Sequence, residues 1–141
     1  MLTRAEKTAA VKTALKFMGH QQLAALREGL RGEEKEWFEQ KLFEIAETIR
    51  TMPKTYEQDG KGDEAIVYLH YFGRGRMNFY ITEKDMCEEQ EQAFGLSDLY
   101  GDGGELGYIN IVELTENNVE LDWHWKLKTI GEIKAKKERA A

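Results

Sequence analysis

The sequence predicts an α+β fold in which N-terminal helices pack on one face of an antiparallel sheet of about five strands, arranged as a meander. Three observations predict it. Apolar residues recur at helical spacing through the first 52 residues. From residue 65 the period shortens, and β-branched and aromatic residues gather in short runs. Those runs are separated by brief glycine-rich links, which suit neighbouring antiparallel strands. At 141 residues and 41% hydrophobic the chain is long and apolar enough for one core. With no evident linker, residues 1–141 read as a single domain: a helical part over 1–52, a sheet part over 53–133 and a basic tail over 134–141.

In the first helix Val11, Leu15 and Met18 recur at near-helical spacing, and Gly19 is placed to end it in a left-handed cap. A second, short helix carries Leu23, Leu26 and Leu30. The third has the strongest pattern: Phe38, Leu42, Ile45, Ile49 and Met52 form one stripe. Glu33, Glu34 and Glu36 fall near its start, where the helix dipole favours negative charge. Pro53 bars Met52 from the α-conformation and stops it. Trp37, Phe43 and Ala46 lie beside the stripe, so this helix packs on two sides within the domain or supplies the seam of a homo-oligomer. Residues 54–64 read as a loop.

The strands are then expected at 65–72, 77–82, 93–99 and 106–109, the first two joined by Gly73-Arg74-Gly75-Arg76 as a hairpin. Asn110 and Glu113 have capping-box spacing, so 111–114 is expected to be a helical turn. The last strand shows the clearest alternation. Val119, Leu121, Trp123, Trp125 and Leu127 share one face; Glu120, Asp122, His124, Lys126 and Lys128 share the other. Thr129 with Glu132 repeats the capping-box spacing and opens a basic C-terminal helix or tail.

Charge is laid out in blocks. Residues 1–31 and 123–141 are each net +4, whereas 77–122 hold twelve acidic residues against Lys84 alone. Such blocks set local potentials that attract partners of opposite sign, although acidic loops also simply keep a domain in solution. The sharper reading is an acidic binding surface of Glu83, Asp85, Glu88, Glu89, Glu91, Asp98, Asp102 and Glu105. Arg74 and Arg76, at the expected hairpin tip, could fork onto phosphates or carboxylates.

No catalytic residue, metal or cofactor is assigned. The single cysteine excludes a disulfide framework and multi-cysteine metal sites. Cys87 lies in an acidic run that opposes a reactive thiolate. Ser97 is not in a nucleophile elbow. His20, His70 and His124 show no ligand spacing. Asp98, Asp102 and Glu105 surround a glycine-rich loop but lack EF-hand spacing. No apolar run reaches membrane-spanning length, and Met1–Lys7 lead into an amphipathic segment, so a cytoplasmic protein is expected.

Several segments together carry a family resemblance: Pro53-Lys54-Thr55-Tyr56-Glu57, Ala93 to Leu99, Glu105 to Leu114, and Val119 to Trp125. On these, residues 52–133 resemble the uncharacterised domain-of-unknown-function family 2958, whose members are found on plasmids, phages and integrated elements. The resemblance implies a mobile-element context but no activity and no catalytic residues.

Three functions are therefore expected, in this order. The first is a non-catalytic protein-binding accessory factor of a mobile element. In its sharpest form it inhibits a host nucleic-acid-targeting defence, CRISPR or restriction, by placing its acidic surface on the cationic surface of that complex. The second is a nucleic-acid binder using the basic helices with Arg74 and Arg76. The third is a small enzyme using the Asp98–Glu105 loop with a histidine.

Overall fold

A computed structural model describes residues 2–140, with side chains described through residue 136. Three helices open the chain: α1 (Arg4–Leu15), α2 (His20–Gly29) and α3 (Lys35–Thr51). Thr3 and Glu6 form a reciprocal capping box that starts α1. Helix α3 buries Leu42, Ile45, Ala46 and Ile49, and Met52 leaves the helical conformation (φ −65°, ψ 155°) ahead of Pro53. The strands follow: β1 (Ile66–Val67), β2 (Leu69–Phe72), β3 (Asn78–Glu83), β4 (Ala93–Asp98) and β5 (Glu105–Ile109). After helix α4 (Ile111–Glu116) come β6 (Glu120–Leu121), β7 (Lys128–Thr129) and helix α5 (Ile130–Ala140).

The main sheet is five-stranded and antiparallel, in the order β5-β4-β3-β2-β6, while β1 and β7 pair separately. Thus β2 to β5 form a meander, and β6 returns to the outer side of β2. The N-terminal helices cover one face, meeting Leu69, Tyr71, Phe79, Ile81, Ala93 and Leu121. The alternate residues of the same strands point the other way. There Tyr80 and Leu96 form a second core with Ala65, Val67, Ile130 and Ile133, so α5 covers part of the opposite face.

Two local expectations are corrected, and the expected C-terminal helix or tail starts as a helix. Gly19 does not end α1 in a left-handed cap; Lys16 is the C-cap, and Gly19 is the N-cap of α2 with φ −76°. What requires glycine there is proximity, since a Cβ would lie 2.7 Å from the Thr115 carbonyl oxygen. The last strand is not continuous from Val119. Asp122 accepts the His124 backbone N–H at 2.9 Å, turning the chain after β6. Trp123 and Trp125 therefore do not share a face: Trp123 packs against the first core and Trp125 against the second. The expected tail over 134–141 begins as part of α5; the side chains of 137–140 and residue 141 lie outside the described residues.

Side chains also tie the layers together. Tyr71 is fully buried and donates to the Phe17 carbonyl at 2.6 Å, and burial pushes its phenol pKa upward. Lys84 donates to the Ile49 and Arg50 carbonyls at the C-terminus of α3. Gln22 donates to the Leu121 carbonyl at 2.7 Å and accepts the Leu121 N–H at 3.0 Å, so its amide occupies the place of a further strand beside β6.

Gly95 is where β4 has least room, because a Cβ there would sit 1.9 Å from the Tyr80 carbonyl oxygen. Gly107, opposite it on β5, has nothing within 4 Å of the same atom. Gly95→Ala is expected to cost about 3 kcal/mol or more, and Gly107→Ala less than about 0.5 kcal/mol. Urea unfolding of the two variants reads the contrast.

Candidate functional site

The eight carboxylates expected to form one acidic surface do not do so. Glu83, Asp85 and Asp98 are buried. A register shift between Ile81 and Glu83 accompanies the burial of Glu83, which accepts from the Gln58 N–H and the Thr82 hydroxyl. Asp85 accepts the backbone N–H groups of Cys87 and Gln92, and Asp98 that of Gly101. These three shape loops instead of meeting a partner. Glu105 lies opposite Ser97, so the buried Asp98, next along β4, faces the other side of the sheet from Glu105, which divides the pair expected for an acid–base enzyme.

The other five are exposed, in two groups at opposite ends of β5. Asp102 and Glu105 lie at its start. Glu88, Glu89 and Glu91 belong to the loop joined to its far end by a bond from the Ile111 N–H to the Gln90 carbonyl (3.0 Å). Between the two groups β5 presents Leu106 and Tyr108, 48% and 54% exposed. The Tyr108 and Tyr56 hydroxyls are hydrogen-bonded to each other, an interaction that raises the Tyr108 pKa. Phe94 meets the Tyr108 ring edge-on at 5.9 Å. Tyr56 holds φ +79°, a conformation uncommon for a bulky residue, at the start of the loop that crosses this face. Among the described residues, β5 has a strand neighbour on one side only. The sequence places Leu106 and Tyr108 in a strand; their exposure follows only from β5 being an edge.

Arg74 and Arg76 are exposed at the β2–β3 hairpin, as expected. The Arg76 stem lies against Gly101, so the hairpin and the loop after β4 share one end of the sheet. Helices α1 and α5 belong to cores on opposite faces, so among the described residues the two basic ends of the chain do not merge into one patch.

His70 and His124, distant in sequence, line one cleft of about 470 Å³ between residues 122–128 and α5. The His70 ring stacks on Tyr80 (4.9 Å, 10°) and lies 5.0 Å from Trp125. Burial pushes the Tyr80 pKa up. His70 Nδ1 meets Asp122 Oδ2 at 2.9 Å, and Nε2 meets Asn78 Oδ1 at 2.7 Å. Both ring nitrogens are engaged within the chain, which suits bracing better than proton transfer to a substrate. Among the described residues, no group of three or more His, Cys, Asp or Glu side chains could hold a metal ion.

Comparisons with family models, curated proteins and solved structures find no match to this chain.

Asp122 joins the turn after β6 to His70 through its two oxygens. Asp122→Ala is expected to lower stability by about 1–3 kcal/mol, and Asp122→Asn, which keeps an acceptor, by less. Equal urea midpoints for both variants and the parent would remove this bridge as a structural element.

Proposed function

We propose that the protein is a non-catalytic, protein-binding accessory factor that offers β5 to an extended segment of a cationic partner. The observation that carries this reading is an unclosed edge strand, apolar at its centre and flanked by carboxylates at both ends. An added strand would use the outward main-chain groups of β5 for affinity, and Leu106 and Tyr108 for selectivity. At about 3.3 Å per residue, five residues span roughly 16 Å, which sets the spacing of basic groups expected in the partner. Glu88, Glu89 and Glu91 would meet one basic group; Asp102 and Glu105 would meet another.

A cytoplasmic mobile-element setting, which the sequence resemblance of residues 52–133 implies, is part of this proposal. In that setting, a host nucleic-acid-processing complex is the partner class we favour. Its phosphate-binding surfaces are rich in Lys and Arg, the chemistry that the five carboxylates complement. The full engagement of His70 supports a binding role over a catalytic one.

Capture from host extract, followed by identification of what co-purifies, tests the reading. A basic protein should be retained at about 0.1 M salt and largely released at about 1 M, where the Debye length falls to about 3 Å. Leu106→Lys with Tyr108→Lys should abolish capture, and Glu88→Gln with Glu89→Gln and Glu91→Gln should weaken it. Capture that survives both sets of substitutions would reject β5 as the contact.

A further inference from the structure

The cleft beside α5 lies on a different part of the molecule from β5, and its chemistry points elsewhere. We infer that it is a binding site for a nucleotide, a planar base carrying phosphate, either as the monomer or within a single strand. This inference does not rest on the protein-binding reading.

One wall is aromatic and fixed. Trp125 is anchored by its Nε1–H donating to the Val67 carbonyl at 2.9 Å. His70 is held between Asp122 and Asn78 and stacks on Tyr80. Tyr80 is buried and already stacked on His70, so the half-buried Trp125 is the fixed ring left to meet a planar base, which stacks regardless of its identity.

The other contribution is charge. Lys126, Lys128 and Lys136 line the same cleft, with Lys128 Nζ 5.1 Å from the Trp125 ring centre. Two carboxylates also line it, and both are engaged by their own chain. Asp122 accepts from His70 and the His124 N–H, and Glu132 accepts from the Thr129 N–H and hydroxyl. Among the described residues, none of the three lysines forms an ion pair. The arrangement therefore presents Lys126 and Lys136 without an ion-pair partner beside a rigid aromatic wall over which Lys128 lies.

A cleft of about 470 Å³ falls within the usual range for small-molecule sites. An isolated phosphate would use the lysines and leave the rings idle; an uncharged aromatic would do the reverse. A nucleotide engages both. Lys126 and Lys136 are exposed, so they can be changed without disturbing either core.

Calorimetric titration of the whole chain with AMP, adenosine, inorganic phosphate and a single-stranded thymidine oligonucleotide of about ten residues tests the assignment. AMP or the oligonucleotide should saturate, with adenosine and phosphate each at least about tenfold weaker than the better of the two. Lys126→Gln with Lys136→Gln should weaken binding about tenfold or more while leaving the unfolding midpoint unchanged. Trp125→Leu should weaken AMP without altering any weak response to phosphate. If that variant fails to fold, the lysine pair and the ligand series still decide. Tighter, strongly salt-dependent binding of the oligonucleotide would identify the source as a nucleic-acid strand, and comparable binding of AMP would identify the free nucleotide. No saturation by either up to about 5 mM would overturn the inference, as would phosphate binding as tightly as AMP, or an unchanged affinity in the lysine variant.

Discussion

Strand β3 sends Phe79 and Ile81 toward the N-terminal helices and Tyr80 toward α5, so successive residues of one strand enter two separate cores. This two-sided burial is the constraint on which the other features depend. Its neighbour β4 approaches closely enough that Gly95 cannot accommodate a side chain against the Tyr80 carbonyl. Its register shift near Glu83 brings a carboxylate into a buried network with Thr82 and Gln58. That network, with Gln58 also bonded to the Ile66 and Thr82 carbonyls, fastens the connection from α3 across the outer face. Buried polar groups are tolerable only when satisfied, and here they hold a loop where helix or strand could not.

The two halves of the outer face differ because the chain crosses it twice. The segment through Tyr56 and Gln58 covers the middle, and α5 covers the side near β2. The first reaches β5 only through the Tyr56 hydroxyl bonded to that of Tyr108, and Leu106 and Tyr108 stay about half exposed to solvent. The cleft near α5 has a related origin. The turn at Asp122 diverts the chain away from the sheet plane and brings Trp125 beside His70. Both candidate surfaces are thus by-products of how the second core is closed.

Much of the architecture was legible. The stripe from Phe38 to Met52 reports an amphipathic helix directly, since each residue's burial depends on its own periodicity. The hairpin around Arg74 and Arg76 and the caps at Asn110 and Thr129 were readable for the same reason: they are local. The last strand was not, because alternation from Val119 to Leu127 competes with a side-chain turn at Asp122 that spacing does not reveal. Acidic residues were the least legible. Asp98 and Asp102 look alike in sequence, yet one is buried against a backbone N–H and the other exposed; Asp98 ends β4, whereas Asp102 lies in the loop that follows it. The meeting of His70 with Asp122, 52 positions apart, depends on β6 returning to β2, a topological fact with no local signature.

The Gln22 amide gives the sheet a polarity that its strand order alone would not. By occupying the main-chain groups of Leu121, it seals one flank against further pairing and leaves the other open. The strand addition proposed for β5 would then be self-limiting. A second copy joined edge to edge would produce a closed pair with both sealed flanks outward, where two open flanks would permit endless stacking. A molecule built this way can use strand addition for recognition without acquiring the means to polymerise.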